Sequence, residues 1–261
     1  MSVQATRLTL NSATKSLESA PFQLAQLADH EVRIEVLFNS VSRNDVLLLE
    51  GAHSNDYLGV GAVGRIVAVG KEVGSRKVGE IVGVFHENVN RGVATGFSSH
   101  LQVDVSQVVF LPTSIPLPQA SSLLTDGIVA FNALENIPKG SPIAVVGSGN
   151  LAYLAVQFAK KVFGLNVTIF SLGAAEAVSG WGADAVDVYS LENTKKYEER
   201  FDAVVVAEQI GKETSNPLQN LAIRTGRLYF LTQFTYTPSI GFFDLIICSY
   251  GLMQASASSS G

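Results

Sequence analysis

The chain has 261 residues, of which 47% are hydrophobic and 16% are charged, and its formal net charge is −5. This composition is typical of a globular chain with well-buried sheets and excludes a disordered one. The basic residues form no cluster larger than short pairs such as Lys195-Lys196. We therefore expect no nucleic-acid partner.

Two further features narrow the class of protein. The N-terminal stretch MSVQATRLTLNSATKSLESAP lacks the apolar segment of a signal peptide, so we expect a cytoplasmic protein. The longest apolar stretches, such as FDAVVVA at 201–207, are too short to cross a bilayer, and we expect no membrane partner. Cys248 is the single cysteine, which excludes an internal disulfide and a cysteine-rich zinc cluster.

The first half of the chain carries strand patterns. Polar and apolar residues alternate in EVRIEVL (31–37) and in parts of GRIVAVG (64–70) and HLQVDVSQVVFLP (100–112), which predicts half-buried strands in a β-rich barrel or sandwich. After Pro112 the spacing becomes helical, over LPQASSLLTDGIVAFNALENI. We expect one helix near 120–140 to bridge two halves.

The second half alternates continuous apolar strands with helices. The predicted strands are 142–147, 166–170, 184–188, 202–207 and 226–232. Strands that are apolar on both faces and joined by helical crossovers indicate a doubly wound parallel sheet covered on both sides. We divide the chain into a first domain at 1–123, a second at 124–256 and a disordered tail at 257–261.

A glycine turn, GSGNLA, connects the first strand of this series to a helix. Gly147 suits the tight turn, Gly149 allows a pyrophosphate to approach the backbone, and Ala152 allows close helix–sheet packing. A plain strand-to-helix turn also needs glycine. The position after the first strand, with a second strand about 20 residues later, favours a dinucleotide site. The expected binding residues are Gly147, Ser148, Gly149, Asn150, Leu151 and Ser171.

The end of the second strand bears on the choice between NAD and NADP. An Asp or Glu there would bind the ribose 2′-hydroxyl of NAD, and this chain has Ser171 instead, which favours NADP(H). However, no Arg or Lys between 172 and 194 is present to pair with a 2′-phosphate, and Glu176 counts against one. The sequence therefore favours NADP(H) over NAD(H) without excluding NAD(H).

Several stretches together resemble the medium-chain dehydrogenase/reductase superfamily, which includes zinc alcohol dehydrogenases, quinone oxidoreductases and enoyl reductases. They are VRIEVLFNSVSRNDVLLLEG, LGVGAVGRIVAVGKEV, VGEIVGVF, GFSSHLQVD, LPQASSLLTDGIVAFNAL, GSGNLAYLAVQFAK and WGADAVDV. The resemblance implies a GroES-like β-barrel domain followed by a Rossmann domain, and an NAD(P)H-dependent oxidoreductase that acts on a small-molecule substrate.

Departures from the family pattern indicate the subclass. Where zinc members carry Cys-His-Ser-Asp, this chain reads Ser42-Arg43-Asn44-Asp45, and their Gly-His-Glu reads Gly59-Val60-Gly61. Their third cysteine corresponds to Thr125, and the four-cysteine lobe for structural zinc is missing. The resemblance therefore implies no zinc, since the thiol and imidazole ligands are replaced.

A reductase without zinc must polarise its acceptor by hydrogen bonds, while the nicotinamide carries the hydride. Ser42 and Thr125 replace family metal ligands, so the resemblance places their hydroxyls near the nicotinamide as donors to a substrate carbonyl or a water. Asp45 either orients such a network or holds a turn. These three are the candidate catalytic residues of an NADPH-preferring reductase of a carbonyl or an activated C=C bond.

Other polar residues have two interpretations each. Asp126 is either an acid in the active site or a solvated helix residue, and Arg43 and Arg65 either bind an anion or form surface salt bridges. The four histidines, His30, His53, His86 and His100, have no metal-ligand spacing, so we expect solvated or core positions for them. For His100 the alternative is substrate binding.

The end of the chain differs from the family. LIICSYGLMQASASSSG reaches a sixth strand, predicted at 250–255, and stops where family members continue and return to the first domain. We expect an incomplete barrel and an exposed sheet edge, which favours association, including a homodimer. The alternative function is therefore a reductase-like protein that binds a dinucleotide or a partner with little or no turnover.

Overall fold

The structure is a computed structural model that describes residues 3–11, 14, 16–42, 45–46, 59, 61–85, 96–208, 210, 218, 221–231, 244–249 and 252–254. Contacts divide the chain into two units, Met1–Thr125 and Asp126–Gly261. The predicted tail at 257–261 lies outside the described residues.

Unit 1 is built from antiparallel strands. A hairpin pairs β1 (Val3–Asn11) with β2 (Ser16–Leu24). A five-stranded sheet follows in the order β6-β3-β4-β5-β7. Its strands in chain order are β3 (Glu31–Asn39), β4 (Gly61–Val69), β5 (Ile81–Phe85), β6 (His100–Asp104) and β7 (Val108–Phe110).

Alternation along these strands produces the core of unit 1. Val32, Ile34 and Ile66 are completely buried and pack together with Leu101 and Val103. The strand predicted at 100–112 is interrupted by a 3₁₀ turn at Val105–Gln107. The interruption has a local cause, because the Asp104 carboxylate accepts a hydrogen bond from the Ser106 N–H and so caps the turn.

The predicted bridging helix is present but not uniform. Helix α1 (Leu117–Ser122) begins after Pro116, passes through a π turn at Leu123–Gly127 and continues as α2 (Ile128–Leu134). A π turn widens the helix by one residue and changes the direction in which side chains project. Thr125 lies in this turn.

Unit 2 contains a seven-stranded sheet in the order β10-β9-β8-β11-β12-β13-β14. Its strands are β8 (Pro142–Val146), β9 (Asn166–Ser171), β10 (Ala185–Val188), β11 (Phe201–Val206), β12 (Ala222–Phe230), β13 (Asp244–Ser249) and β14 (Leu252–Gln254). The first six run parallel in the order 3-2-1-4-5-6 of dinucleotide-binding sheets. The predicted GroES-like plus Rossmann fold class is confirmed.

In the described part of unit 2, one helix follows β8 and another precedes β11. Helix α3 (Asn150–Lys161) packs on β8 and β9, and α4 (Leu191–Lys195) precedes β11. Between β9 and β10 the chain forms two 3₁₀ turns, at Ala175–Ala177 and Ser179–Trp181, in place of a second Rossmann helix. The segment between β9 and β10 is short and contains several glycines, which disfavour a helix.

Trp181 packs edge-to-face on Tyr153 of α3, with ring centroids 5.4 Å apart. One further prediction is corrected by the structure. The sixth parallel strand is β13, which ends before the predicted 250–255, and β14 pairs with it antiparallel. No helix in the described part of the chain has the length and hydropathy required to cross a bilayer.

Candidate active site

The glycine turn lies where β8 ends and α3 begins. Gly147 has a φ of 147°, a conformation that side chains disfavour. A Cβ at Gly147 would approach the Cβ of Ala152 to 3.1 Å and the Cβ of Glu208 to 3.3 Å. Both the backbone angle and the close packing therefore require glycine at this position.

The N-terminus of α3 is open beside this turn. Gly149 is the N-cap residue and has no side chain to cap the helix. Among the described residues, no heavy atom lies within 4 Å of a Cβ built at Gly149. At the start of this 12-residue helix, therefore, no described side chain caps the helix or fills the space beside residue 149, at the helix's positive end. This arrangement suits an anion such as a pyrophosphate.

Hydroxyl groups lie at the ends of β8 and β9. The oxygens of Ser148 Oγ and Ser171 Oγ are 3.2 Å apart, and Ser148 Oγ also accepts from the Leu172 N–H at 3.0 Å. Ser171 is completely buried, and its hydroxyl donates to the Ala174 carbonyl at 3.0 Å. The second strand thus ends in a neutral hydroxyl pair at the place where NAD-binding proteins carry an acid.

An acid that the sequence reasoning missed lies on the other side of β8. The N–H of Ser148 donates to Glu208 Oε2 at 2.8 Å. The parallel register pairs Val146 with Val206, so two residues further on Ser148 and Glu208 lie side by side. A signal was present in the sequence, because Glu208 is the first acid after the apolar strand that predicts β11.

Asp126 and Asn150 connect the beginnings of two helices in unit 2. Asn150 Nδ2 donates to Asp126 Oδ2 at 2.8 Å. Asp126 immediately precedes Gly127 and α2, and Asn150 is the first residue of α3. Asp126 is half-buried and hydrogen-bonded, so it positions the start of α3 beside the glycine turn.

In unit 1, the Asp45 carboxylate holds Ser42, one of the candidate hydrogen-bond donors to the substrate, in place. Its Oδ2 accepts from the Ser42 N–H at 2.6 Å and from Ser42 Oγ at 2.7 Å, and its Oδ1 accepts from the Gly59 N–H at 2.7 Å. Asp45 is only 2% exposed. The carboxylate therefore fixes Ser42 and the chain before β4, and the Ser42 hydroxyl proton is directed at Asp45.

Thr125 lies beside the start of β4. Its side chain is buried, and its Oγ1 donates to the Ser122 carbonyl at 3.0 Å. Ser40 Oγ lies 3.4 Å from Thr125 Oγ1. A Cβ at Gly61 would approach Thr125 Cγ2 to 2.6 Å. The structure thus brings Thr125 to the start of β4, with Ser40 as a third hydroxyl that the sequence reasoning missed.

The donor set at this place does not suit zinc. Of the three positions where the resemblance expects metal ligands, Ser42 and Thr125 carry hydroxyls whose protons go to Asp45 and to a backbone carbonyl. Val60, the third, lies outside the described residues. Zinc in proteins is held by thiolate, imidazole or carboxylate groups. In the described part of the chain, no three His, Cys, Asp or Glu side chains are grouped to hold a metal ion.

The other polar candidates have ordinary surroundings. Arg65 forms a surface salt bridge with Glu35 at 3.2 Å, which is the more common of its two predicted roles. His100 begins β6, and its Nδ1 lies 3.2 Å from Ser99 Oγ. His30 is exposed and lies 3.7 Å from Asp104. Arg43, His53 and His86 lie outside the described residues.

No protein-family model matches the chain, but individual relatives do. It is 25% identical to a probable cinnamyl alcohol dehydrogenase of Arabidopsis thaliana, over 94% of this chain and 78% of that protein. It is also 25% identical to NADP-dependent alcohol dehydrogenase C 1 of Mycolicibacterium smegmatis, over 72% of this chain and 64% of that protein.

Solved structures share the fold. A cinnamyl alcohol dehydrogenase of Sorghum bicolor superimposes with a TM-score of 0.82 at 24% identity, covering 95% of this chain and 83% of that one. The CAD of Helicobacter pylori, complexed with NADP(H), has a TM-score of 0.75 at 20% identity and covers 88% of this chain and 76% of that one. The CurK enoyl reductase has a TM-score of 0.76 at 21% identity and covers 95% of this chain and 81% of that one.

An antiparallel sheet unit followed by a dinucleotide-type parallel sheet is the fold that this chain shares with these solved structures. The relatives and structural neighbours are alcohol dehydrogenase and enoyl reductase-like members of the medium-chain dehydrogenase/reductase superfamily. The resemblance seen in the sequence is thereby confirmed.

Proposed function

We propose that the protein is an oxidoreductase that prefers NADPH, works without zinc and reduces a carbonyl or an activated C=C bond of a small molecule. The observation that carries this proposal is the open N-terminus of α3 behind the Gly147 turn, at the place where the strand order reverses between β8 and β11. Ligands of doubly wound sheets bind at this reversal.

The residues around the turn fit a dinucleotide. The N–H groups of Asn150 and Leu151 at the start of α3 would hold the pyrophosphate, and the absence of a side chain at Gly149 leaves the space for it. The hydroxyl of the half-buried Ser148 would contact the adenosine ribose, and the completely buried Ser171 would hold Ser148 in place. Gly147 keeps the end of β8 and the start of α3 close together.

Three considerations support NADPH over NADH. β9 ends at Ser171 and not at an acid, so no carboxylate there repels a 2′-phosphate. A relative is named as NADP-dependent, and a solved structure with this fold is complexed with NADP(H). The preference is expected to be modest, because residues 172–194 contain no Arg or Lys and Glu176 is exposed nearby.

When bound, the nicotinamide supplies the hydride. The chain's own contribution is then to hold and polarise the acceptor, which we assign to Ser42 and Thr125, with Asp45 as the positioning residue. Each hydroxyl would turn its proton from its present acceptor, Asp45 or the Ser122 carbonyl, to the substrate oxygen. Zinc takes no part, because hydroxyls with these partners are poor zinc ligands.

A second candidate function rests on the same hydroxyls. Since both hydroxyls already donate inside unit 1, the protein could bind a dinucleotide with little or no turnover.

The proposal also includes association into a homodimer through the end of the unit 2 sheet, and a location in the cytoplasm. Size-exclusion chromatography with light scattering tests the association.

Calorimetric titration with NADPH and with NADH tests binding without a known substrate. We expect saturable binding of both, with NADPH tighter. Oxidation of NADPH, followed at 340 nm with a panel of quinones, enones and aldehydes and with zinc content measured in parallel, then tests turnover. Binding without oxidation of NADPH anywhere in the panel supports the second candidate, and no binding of either dinucleotide removes both.

A further inference from the structure

Glu208 occupies an unusual place in a site proposed for an anion. Its carboxylate accepts the Ser148 N–H at 2.8 Å, inside the glycine turn itself. Glu208 is half-buried, and no described lysine or arginine forms an ion pair with it. Among the described residues, therefore, no cation pairs with this carboxylate, which lies where backbone N–H groups would attract the phosphates of a ligand.

The fold keeps this carboxylate close to the turn. Main-chain hydrogen bonds join β8 to the end of β11, including Ala207 N–H to the Val146 carbonyl at 2.9 Å. A Cβ at Gly147 would approach the Glu208 Cβ to 3.3 Å. The backbone and Cβ of Glu208 are thus held close to the glycine turn by the parallel sheet.

We propose that Glu208 is a specificity-determining residue of the dinucleotide site, which weakens the binding of ligands that carry a pyrophosphate by placing a negative charge beside it. The proposal rests on the proposed dinucleotide function. Like charges a few ångströms apart at a partly screened site repel strongly enough to reduce affinity on the order of tenfold at low ionic strength.

The repulsion predicts which ligands respond to Glu208. ADP-ribose and NADPH carry a pyrophosphate that the turn would hold, so the carboxylate weakens both. The fragment 2′-AMP carries its phosphate on the adenosine ribose and has no pyrophosphate. Its affinity therefore depends little on Glu208.

The variant Glu208→Gln tests the proposal with the full-length protein, because a glutamine oxygen still accepts the Ser148 N–H while the charge is removed. Glu208→Ala is the second variant, and it frees that N–H. Glu198→Gln is the matched control, since it removes one exposed carboxylate of the same unit away from the turn. Dissociation constants for NADPH and ADP-ribose are measured by calorimetry at 20 mM and 200 mM salt, and 2′-AMP is measured by competition.

We expect Glu208→Gln to bind NADPH and ADP-ribose about tenfold more tightly at low salt, with a smaller gain at high salt and no comparable gain for 2′-AMP. Glu198→Gln is expected to match the parent protein. Equal or weaker NADPH binding by Glu208→Gln overturns the inference and leaves the proposed function intact, as does an equal gain for 2′-AMP. If neither the parent nor the variants bind a dinucleotide, the proposed function fails and this inference with it.

Discussion

Ser42 and Asp45 form a closed pair in which one carboxylate oxygen accepts both the backbone N–H and the hydroxyl of the serine, at 2.6 and 2.7 Å. The other carboxylate oxygen accepts the Gly59 N–H. A buried acid with three such bonds stabilises the fold and at the same time fixes the direction of a candidate catalytic hydroxyl.

Asp45→Ala is expected to lower the free energy of unfolding of unit 1 by about 3 kcal/mol, because it leaves two buried N–H groups unpaired. Urea unfolding followed by circular dichroism measures this loss. The control is Asp29→Ala, since Asp29 is exposed and its contact with Lys71 is long at 3.9 Å. A loss equal to that of the control would contradict the structural role of Asp45.

Replacement of both Ser42 and Thr125 by alanine tests their assignment as hydrogen-bond donors to the substrate. We expect the NADPH oxidation rate to fall about 100-fold, which is the size of effect that loss of such a donor produces, while NADPH affinity stays unchanged. Ser106→Ala, at a surface turn, serves as the control for a lost serine hydroxyl. Full activity in the double variant would contradict the assignment.

Glycine-to-alanine changes separate the folding role of the turn from its binding role. Gly147→Ala is expected to lower stability by about 1–3 kcal/mol, because it combines a positive φ with close contacts. Gly149→Ala meets open space among the described residues, so stability is expected to stay within about 0.5 kcal/mol. NADPH affinity is expected to fall in both variants. Normal affinity in a folded Gly149→Ala protein would contradict a pyrophosphate site at this turn.

Gly173→Arg tests why the preference for NADPH is modest. Gly173 is exposed and follows β9, with open space around its Cβ among the described residues. An arginine there supplies the missing partner for a 2′-phosphate, so we expect the ratio of NADH to NADPH dissociation constants to rise about tenfold. Gly173→Gln is the uncharged control. An unchanged ratio would contradict the placement of the adenosine ribose at Ser171.

Asp184 provides a pH-dependent contribution to stability. Partial burial raises the pKa of Asp184, but hydrogen bonds from Lys160 Nζ and the Val167 N–H outweigh it and hold the pKa below its usual value. A lowered pKa means that the stabilisation is complete above the unfolded-state value of about 3.9 and is lost as the pH falls through the folded-state value.

Asp184→Asn is therefore expected to cost about 1 kcal/mol at pH 7, a figure discounted because the side chain is half exposed. The cost is expected to shrink as the pH falls below the unfolded-state pKa of about 3.9. Urea unfolding at pH 7 and through the acid range measures the difference. Asp202→Asn is the comparison variant. A cost that does not change with pH would show that the ion pair with Lys160 is not its source.

Patterns of apolar residues predict most of the fold. Residues 142–146 and 201–206 are continuous apolar runs, and they form adjacent buried parallel strands because nothing in them suits solvent. These patterns do not predict the 3₁₀ turns in segment 172–184, because an α-helix and a 3₁₀ turn have similar local patterns. Which of the two forms depends on the distance that the chain must span. The same limit applies to the π turn at Thr125, which depends on packing against β4.

The site was predictable where a single segment defines it. The predicted strand positions are enough to identify Gly147, Gly149 and Ser171 as candidate binding residues, because a turn and a strand end are local features. Asp45 is a candidate from the sequence as well, but no local pattern predicts its bond to the Gly59 N–H, 14 residues away in the chain. Glu208 was missed because its partner Ser148 lies 60 residues away, and residue types alone do not specify the strand register that brings the two together.

The close approach of Gly61 to Thr125 also limits how this chain can change over evolutionary time. A Cβ at Gly61 would meet the methyl group of Thr125, a β-branched side chain buried in a helical turn, at 2.6 Å. The glutamate that zinc members carry in Gly-His-Glu would collide there as long as Thr125 is present. The two positions are therefore coupled, because a side chain at residue 61 requires a smaller side chain at residue 125.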